Sequence, residues 1–271
     1  MDIDPTPRTL THGHLPDCLA LARDRGWATE ERKWAFLLDN GTGYGFFDDS
    51  GALVGSTIVT RYSGQHAALS MVLVASAHAG RGLGRRLVEH ALANADCPVV
   101  SLHATALGRP LYEKLGFRAV DRLVTHFGPF RDAALSGTTR SALHADLPRV
   151  VATDAEVFGA DRGVLWKDYF RLADQVRIGP SGGFAAAWRT VGSLALGPVV
   201  ADSVDEAKAL VTDLAAGAEG ALQVSAYHPE LADWLVERGL ERRSGVDLMV
   251  LGGDVGGDRT RLYVPMMQAL G

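Results

Sequence analysis

Two short segments of the chain carry residue types that could bind and activate an anionic ligand. In the first, AGRGLGRRL, Gly80, Gly82 and Gly84 directly precede apolar residues at helical spacing. Glycine permits positive φ angles and close approach of backbone N–H groups to a ligand, and a helix start leaves about four N–H groups unpaired. The spacing predicts a phosphate-binding loop, with a purely structural turn as the alternative. It is neither a P-loop nor a Rossmann motif, since GxxxxGK[ST] is absent and Leu87 replaces the last glycine of GxGxxG.

Both segments follow strands that the apolar pattern predicts. The runs AALSMVLVA (67–75) and CPVVSLHA (97–104) are short and nearly continuous, as expected for strands covered on both faces. The second segment, GRPLYEKLGF (108–117), predicts a short helix with Pro110 near its start and Gly116 at its end. We therefore predict an α/β fold whose strand ends position the glycine loop and Tyr112.

Together, LSMVLVASAHAGRGLG and GRPLYEKLGF resemble the GNAT superfamily of acyl-CoA-dependent N-acetyltransferases. The resemblance extends over about residues 43–127, and more loosely over 1–130. It implies an enzyme in which a primary amine attacks the thioester of acetyl-CoA directly, with no metal ion. It also implies that Tyr112 is the general acid for the departing thiolate, which suits a phenol because its ordinary pKa near 10 keeps it protonated. The alternative for Tyr112 is simple packing on the sheet.

The resemblance implies the cofactor-binding residues position by position. The loop would hold the coenzyme A diphosphate, while the strand backbone would pair with the pantetheine arm and polarise the acetyl carbonyl. The implied loop residues are Ala79, Gly80, Arg81, Gly82, Leu83, Gly84 and Arg85, and the implied strand residues are Val72, Leu73 and Val74.

Two positions depart from the family pattern. Ala79 stands where an arginine or glutamine usually contacts the diphosphate, and Ala68 and Ser70 occupy the stretch where some members carry a glutamate general base. The base is therefore open between a water chain, His66, Glu30 and a chain-end carboxylate at Gly271.

The second half of the chain repeats the first without the loop. VVSLHATALGRPLYEKLGF (99–117) aligns over LQVSAYHPELADWLVERGL (222–240), which puts Leu235 at the place of Tyr112. ADSVDEAKAL replaces the glycine loop, and its Ser203 and Glu206 have the spacing of a capping box. We predict two tandem GNAT-like domains, each a mixed, mostly antiparallel sheet flanked by helices, of which the second does not bind coenzyme A. An unrelated α/β domain is the alternative.

The predicted organisation is a catalytic domain at 1–130, a linker at 131–143 and a degenerate domain at 144–271 that covers the acceptor site. Trp27, Trp34 and Trp166 are candidates for lining the acceptor space, with core packing as the alternative.

Composition limits the other classes of function. The formal charge is −5, and this balance gives no indication of nucleic-acid binding, which depends on clustered positive charge. No apolar run reaches the length of a membrane span, and the two cysteines show no metal-binding spacing. A cytoplasmic N-acetyltransferase is the preferred interpretation; a non-catalytic coenzyme A-binding sensor or assembly module and a transferase of longer acyl groups are the alternatives. The identity of the amine acceptor and the oligomeric state stay open.

Overall fold

A computed structural model describes residues 6–132, 134–216 and 218–271. Its strands are β1 (Arg8–Leu10), β2 (Thr42–Phe47), β3 (Leu53–Tyr62), β4 (His66–Val74), β5 (Val99–Ala104), β6 (Arg118–Pro129), β7 (Arg140–Ser141), β8 (Gln175–Ile178), β9 (Phe184–Thr190), β10 (Ser193–Val200), β11 (Ala221–Ala226), β12 (Glu241–Leu251) and β13 (Leu262–Val264). Its α-helices are α1 (Leu15–Asp24), α2 (Glu31–Asn40), α3 (Leu83–Ala93), α4 (Arg109–Lys114), α5 (Leu147–Phe158), α6 (Gly163–Leu172), α7 (Val204–Ala215) and α8 (Pro229–Glu237).

All described strands belong to one mixed sheet. The order is β1-β2-β3-β4-β5-β12-β6-β11-β10-β9-β8-β7, and β13 pairs with β10 beside this path. Among the described strands, β4–β5 and β10–β11 pair in parallel and the other pairs are antiparallel. The predicted α/β class with a mixed, mostly antiparallel sheet is confirmed.

The two halves exchange their strands at the centre of the sheet. β12, from the second half, lies between β5 and β6 of the first half, and β6 in turn pairs with β11 of the second half. The pair Arg118–Val250 and the pair Phe127–Glu241 open and close the β6–β12 ladder. When the alignment of the two halves is continued, Arg118 is equivalent to Glu241 and Phe127 is equivalent to Val250, so each of these pairs corresponds to the other. An approximate twofold axis therefore passes between β6 and β12. Neither half completes its sheet alone.

The predicted linker is partly structured. Within 131–143, residues 140 and 141 form β7, which pairs antiparallel with Ile178 and Arg177 of β8. Residue 133 of this linker, residue 217 of the second predicted domain and residues 1–5 of the first lie outside the described residues.

Helix α3 lies on the sheet through the apolar face that its sequence predicts. Leu83, Leu87, Val88 and Ala91 are buried, and the helix contacts β2, β3 and β4. Helical spacing of these residues produces a single apolar stripe, which burial against the sheet removes from water. The start of α3 is thereby fixed at the end of β4.

Candidate active site

A cleft opens where β4 separates from β5. The two strands pair only at His66–Val99, Ala67–Val100 and Ala68–Ser101. Beyond this point β4 bulges against β3, and Met71 takes a φ of +52°. A bulge bends its strand and disrupts the local ladder. Residues 73 and 74 still pair with Ser56 and Gly55 of β3, but on the β5 side the backbone of residues 72–74 pairs with no described strand.

The glycine loop lies at the far end of the same strand. Gly80 and Gly82 both have φ angles of +76°, and a Cβ built on either residue meets nothing within 4 Å. The glycines are needed for backbone conformation, and the space above them is open. A Cβ on Gly84 would lie 3.6 Å from Val74 Cγ2 and 3.7 Å from Leu111 Cδ2. The start of α3, the end of β4 and the first turn of α4 therefore meet at this point.

The start of α3 has no side-chain cap. Gly82 is the N-cap residue and makes no side-chain hydrogen bond, and the first intrahelical bond runs from Arg86 N–H to the Gly82 carbonyl oxygen, at 3.1 Å. The N–H groups of Leu83, Gly84 and Arg85 thus precede the helical ladder. Such groups carry the partial positive charge of the helix terminus, and this is the arrangement that fits an anion.

Tyr112 lies on α4, next to Leu111. Its ring packs against Phe117 with the centroids 5.8 Å apart, and burial raises the pKa of the phenol to about 12. The hydroxyl is therefore protonated at neutral pH and can act as a donor.

A cavity of about 400 Å³ lies beside the β4 bulge. The first half contributes Ser70 and Met71 of β4, and the second half contributes β9, β10, β11 and β12. Residues from both halves that line it include Trp27, Glu30, Lys33, His103, Thr125, Trp188, Gln223, Ser225, Ser244, Met266 and Gln268. Residues of both halves thus line this cavity.

The structure separates the three tryptophans predicted near the acceptor. Trp27 lines the cavity and is 40% exposed, whereas Trp34 and Trp166 are fully buried and do not line it. Trp166 packs edge-on against Tyr169 and Phe184. Trp34 and Trp166 are therefore core residues, because a large apolar ring contributes most when it is entirely removed from water.

Three protein groups are candidates for the general base: His66, Glu30 and the carboxylate of Gly271. Of these, only Glu30 lines the cavity. Its two carboxylate oxygens each accept a hydrogen bond from Val191 N–H, at 3.1 Å. His66 is buried in the core, stacked on Phe158 and bonded to Ser101 Oγ at 2.8 Å, and burial lowers its pKa to about 4. Gly271 is buried but does not line the cavity. His66 and Gly271 are thus placed away from the acceptor space.

A histidine that the sequence analysis missed does line the cavity. His103 Nδ1 lies 2.8 Å from the Gln268 carbonyl oxygen, and Nε2 lies 2.7 Å from Tyr227 Oη. A carbonyl only accepts, so Nδ1 carries the proton and Nε2 accepts from the tyrosine. Burial lowers the pKa of His103 to about 4. Both ring nitrogens are occupied, so His103 joins the two halves and leaves no nitrogen free for an acceptor. Nothing in the sequence indicates that His103 contacts Tyr227, because the two residues are 124 positions apart.

The equivalent cleft of the second half is filled by the chain itself. β13 pairs with β10 at Val199–Val264 and Val200–Leu262, and Tyr227 N–H donates to the Tyr263 carbonyl oxygen at 3.0 Å. β13 therefore lies between β10 and β11, where the first half has its open cleft.

The loop position of the second half is closed by Glu206. Ser203 Oγ caps α7 by accepting from Glu206 N–H at 3.2 Å, which confirms half of the predicted capping box. The reciprocal half is wrong: the Glu206 carboxylate accepts from Asp202, Ser181 and Gly183 N–H groups at 3.0, 2.9 and 3.3 Å. The carboxylate turns to them because they converge from two loops, and it supplies the negative charge that they require.

No group of three or more metal-ligating side chains occurs within residues 6–132, 134–216 and 218–271. In the same ranges, the helices are too short or too polar to span a bilayer.

Comparisons with known proteins identify both halves with one family. Models described as acetyltransferase (GNAT) domain match residues 40–119 and residues 150–264. Over 284 aligned residues, the chain is 28% identical to the uncharacterized N-acetyltransferase YitH of Bacillus subtilis, and the alignment covers 100% of both proteins.

Solved structures share the fold of the whole chain. A candidate acetyltransferase from Pyrococcus horikoshii superposes with a TM-score of 0.85 at 19% identity, covering 98% of this chain and 95% of that one. A tandem GNAT protein from the clavulanic acid biosynthesis pathway has a TM-score of 0.64 at 13% identity, covering 94% of this chain and 100% of that one. The two-domain arrangement is therefore found in solved structures.

Proposed function

The chain belongs to the GNAT acetyltransferases and contains two domains of that family, and we propose that its first half transfers the acetyl group of acetyl-CoA to a primary amine. The observation that carries the proposal is the meeting of three elements at one point: the open end of β4, the uncapped start of α3 and the first turn of α4. The acetyl-CoA thioester supplies the electrophilic carbonyl carbon.

The glycine loop fits a diphosphate by geometry and by charge. Gly80 and Gly82 present open backbone, and the N–H groups of Leu83, Gly84 and Arg85 point along the start of the helix. Ala79 adds no side-chain contact, so backbone donors carry the binding. The free edge of Val72–Val74 would pair with the pantetheine amides and donate an N–H to the thioester oxygen, which stabilises negative charge as it develops there.

Tyr112 would donate its proton to the leaving sulfur. Its raised pKa, about 12, keeps the phenol protonated at neutral pH, so the hydroxyl is available as a donor to the sulfur as negative charge develops there. The acceptor amine would approach from the cavity, which reaches Ser70 and Met71 directly before the strand edge at Val72. Holding the amine and the thioester together supplies the remaining catalysis.

Two measurements on the full chain test this function. Isothermal titration with acetyl-CoA measures binding, and release of free coenzyme A thiol over a panel of primary amines measures transfer. We expect Tyr112→Phe to lower kcat about a hundredfold or more, while the Kd for acetyl-CoA stays within about threefold. Tyr44→Phe is the matched control, since Tyr44 packs on the same face of the sheet, in the cluster that also contains Tyr112.

The outcomes separate the parts of the proposal. A chain that does not bind acetyl-CoA would refute the cofactor assignment. Binding without thiol release on any amine would favour a coenzyme A sensor. Equal kcat values for Tyr112→Phe and Tyr44→Phe would remove Tyr112 from the role of general acid.

A further inference from the structure

Lys33 is the one positively charged residue that lines the cavity of the described chain. It lies in the first turn of α2 and shares the cavity with Trp27, Ser70 and Gln268. Cations are disfavoured at a helix N-terminus because the helix dipole is positive there. A lysine at this place therefore gains nothing from its own helix, and burial lowers the pKa of its ammonium.

The described part of the chain supplies no direct counter-ion to Lys33. It forms no ion pair among the described residues, in contrast to its neighbour Arg32, which pairs with Asp174 at 3.2 Å. Glu30 is the acidic side chain whose charge raises the pKa of Lys33. The two Glu30 oxygens share the single N–H of Val191, and Glu30 forms no ion pair with Lys33 in the described chain. A partly buried charge without a partner is costly, and a ligand that brings an anion removes that cost.

A second unsatisfied group lies in the same cavity. Ser70 is 8% exposed, and its hydroxyl has no hydrogen-bond partner in the described chain. Buried hydroxyls are nearly always hydrogen-bonded. Ser70 directly precedes Met71 at the β4 bulge, so it lies at the end of the cavity where the transfer is proposed to occur. The cavity therefore offers Lys33 as a cation without an ion pair, and Ser70 Oγ lies buried in its wall without a hydrogen-bond partner.

We propose that the acceptor is an amine bearing an acidic group, a carboxylate or a phosphate, and that Lys33 binds this group. This inference rests on the proposed acetyltransfer and adds the chemical class of the acceptor. Glu30 stays hydrogen-bonded to the Val191 backbone. The charge of Lys33 thus determines acceptor specificity and takes no part in coenzyme A binding.

The test compares matched acceptors on matched variants. The carboxylate arm uses β-alanine and β-alaninamide, and the phosphate arm uses O-phosphoethanolamine and ethanolamine. The quantity measured is the ratio of kcat/KM for the acidic member to kcat/KM for its neutral partner. Taking this ratio in each variant cancels the different intrinsic reactivities of the amines. For Lys33→Met we expect the ratio to fall about ten- to a hundredfold, as for loss of a hydrogen bond to a charged group. Lys33→Arg should keep it within about threefold.

A binding measurement makes the result independent of turnover. Thermal shifts of the chain saturated with coenzyme A are recorded with each acidic probe and its neutral partner. The wild-type chain should be stabilised more by an acidic probe, and Lys33→Met should lose this difference. Equal shifts, or no shift, with both probes in both arms would overturn the inference, as would an unchanged ratio in Lys33→Met or a large rise in its KM for acetyl-CoA. Transfer to neutral amines with no effect of Lys33 would leave the acetyltransferase proposal standing.

Discussion

In the second half, Glu206 lies where the first half has its glycine loop. We predict that Glu206 contributes most of the stability of this region. Its carboxylate is the acceptor for the backbone N–H groups of Ser181, Gly183 and Asp202. Glu206 itself is 6% exposed. Replacing it by alanine leaves three donors without their partner.

The size of the effect follows from the exposure of the three donors. Gly183 is buried, and a buried N–H without a partner costs about 1–3 kcal/mol. Ser181 and Asp202 are exposed, so water replaces the carboxylate there and each loses only about 0.5–1 kcal/mol. We expect Glu206→Ala to lower the free energy of unfolding by about 3 kcal/mol. Glu206→Gln should lose about 1 kcal/mol, because one amide oxygen can still accept from Ser181 and Gly183.

Urea unfolding followed by circular dichroism measures these differences as a shift in midpoint at constant slope. Asp205→Ala is the control, since Asp205 is exposed in the same helical turn and contributes only through the helix dipole. A Glu206→Ala chain within 1 kcal/mol of Asp205→Ala would refute the reasoning. The folded Glu206→Ala protein should bind acetyl-CoA with unchanged affinity, since the binding loop lies in the other half.

Three further predictions follow from the same geometry. Gly82→Ala should weaken acetyl-CoA binding about tenfold or more, because it strains the loop at a φ of +76° and adds a methyl group over the open backbone. The control Gly64→Ala is equally strained, at a φ of +68° in the β3–β4 turn, and should leave the Kd unchanged in the same titration. That titration should also give one site per chain, and a stoichiometry near two would contradict closure of the second cleft by β13. His66 and His103 each have a pKa near 4 against an ordinary value of 6.5, so between pH 4 and 6.5 both are neutral when folded and gain protons on unfolding. The free energy of unfolding therefore falls as the pH drops through this window, by about 1–2 kcal/mol per histidine at pH 5. Equal urea midpoints at pH 8 and pH 5 would exclude this contribution.

The sequence predicts the parts of the site that depend on local backbone chemistry. A helix start without a side-chain cap and a loop at positive φ both demand glycine, so Gly80 and Gly82 reveal the loop directly. The loss of that loop in the second half is equally visible, because Ser203 and Glu206 have the residue types that satisfy helix-start donors. For the glycines and Ser203 the residue type is tied to a conformation within a few positions of itself, whereas Glu206 also accepts from Ser181 and Gly183, which are distant in the sequence.

The features that the sequence does not predict depend on distant partners. β12 pairs with β5 and β6, and no pattern within a strand states which strand will lie beside it. Trp27 and Trp34 have the same chemistry, yet one lines the cavity and the other is in the core. The fate of each tryptophan is decided by packing across the sheet, since burial is a property of the whole fold.

The closing of the second cleft and the building of the acceptor cavity involve one continuous segment. β13 fills the space between β10 and β11, and the chain then continues through Pro265–Ala269, which line the cavity beside the first cleft. At its end, the Leu270 carbonyl oxygen accepts from Tyr62 Oη at 2.8 Å, which attaches the segment to β3 of the first half. A ligand in the second cleft would need the space of β13, and so would displace the wall of the acceptor cavity. One segment therefore both fills the second cleft and forms a wall of the cavity, so the two features are structurally coupled.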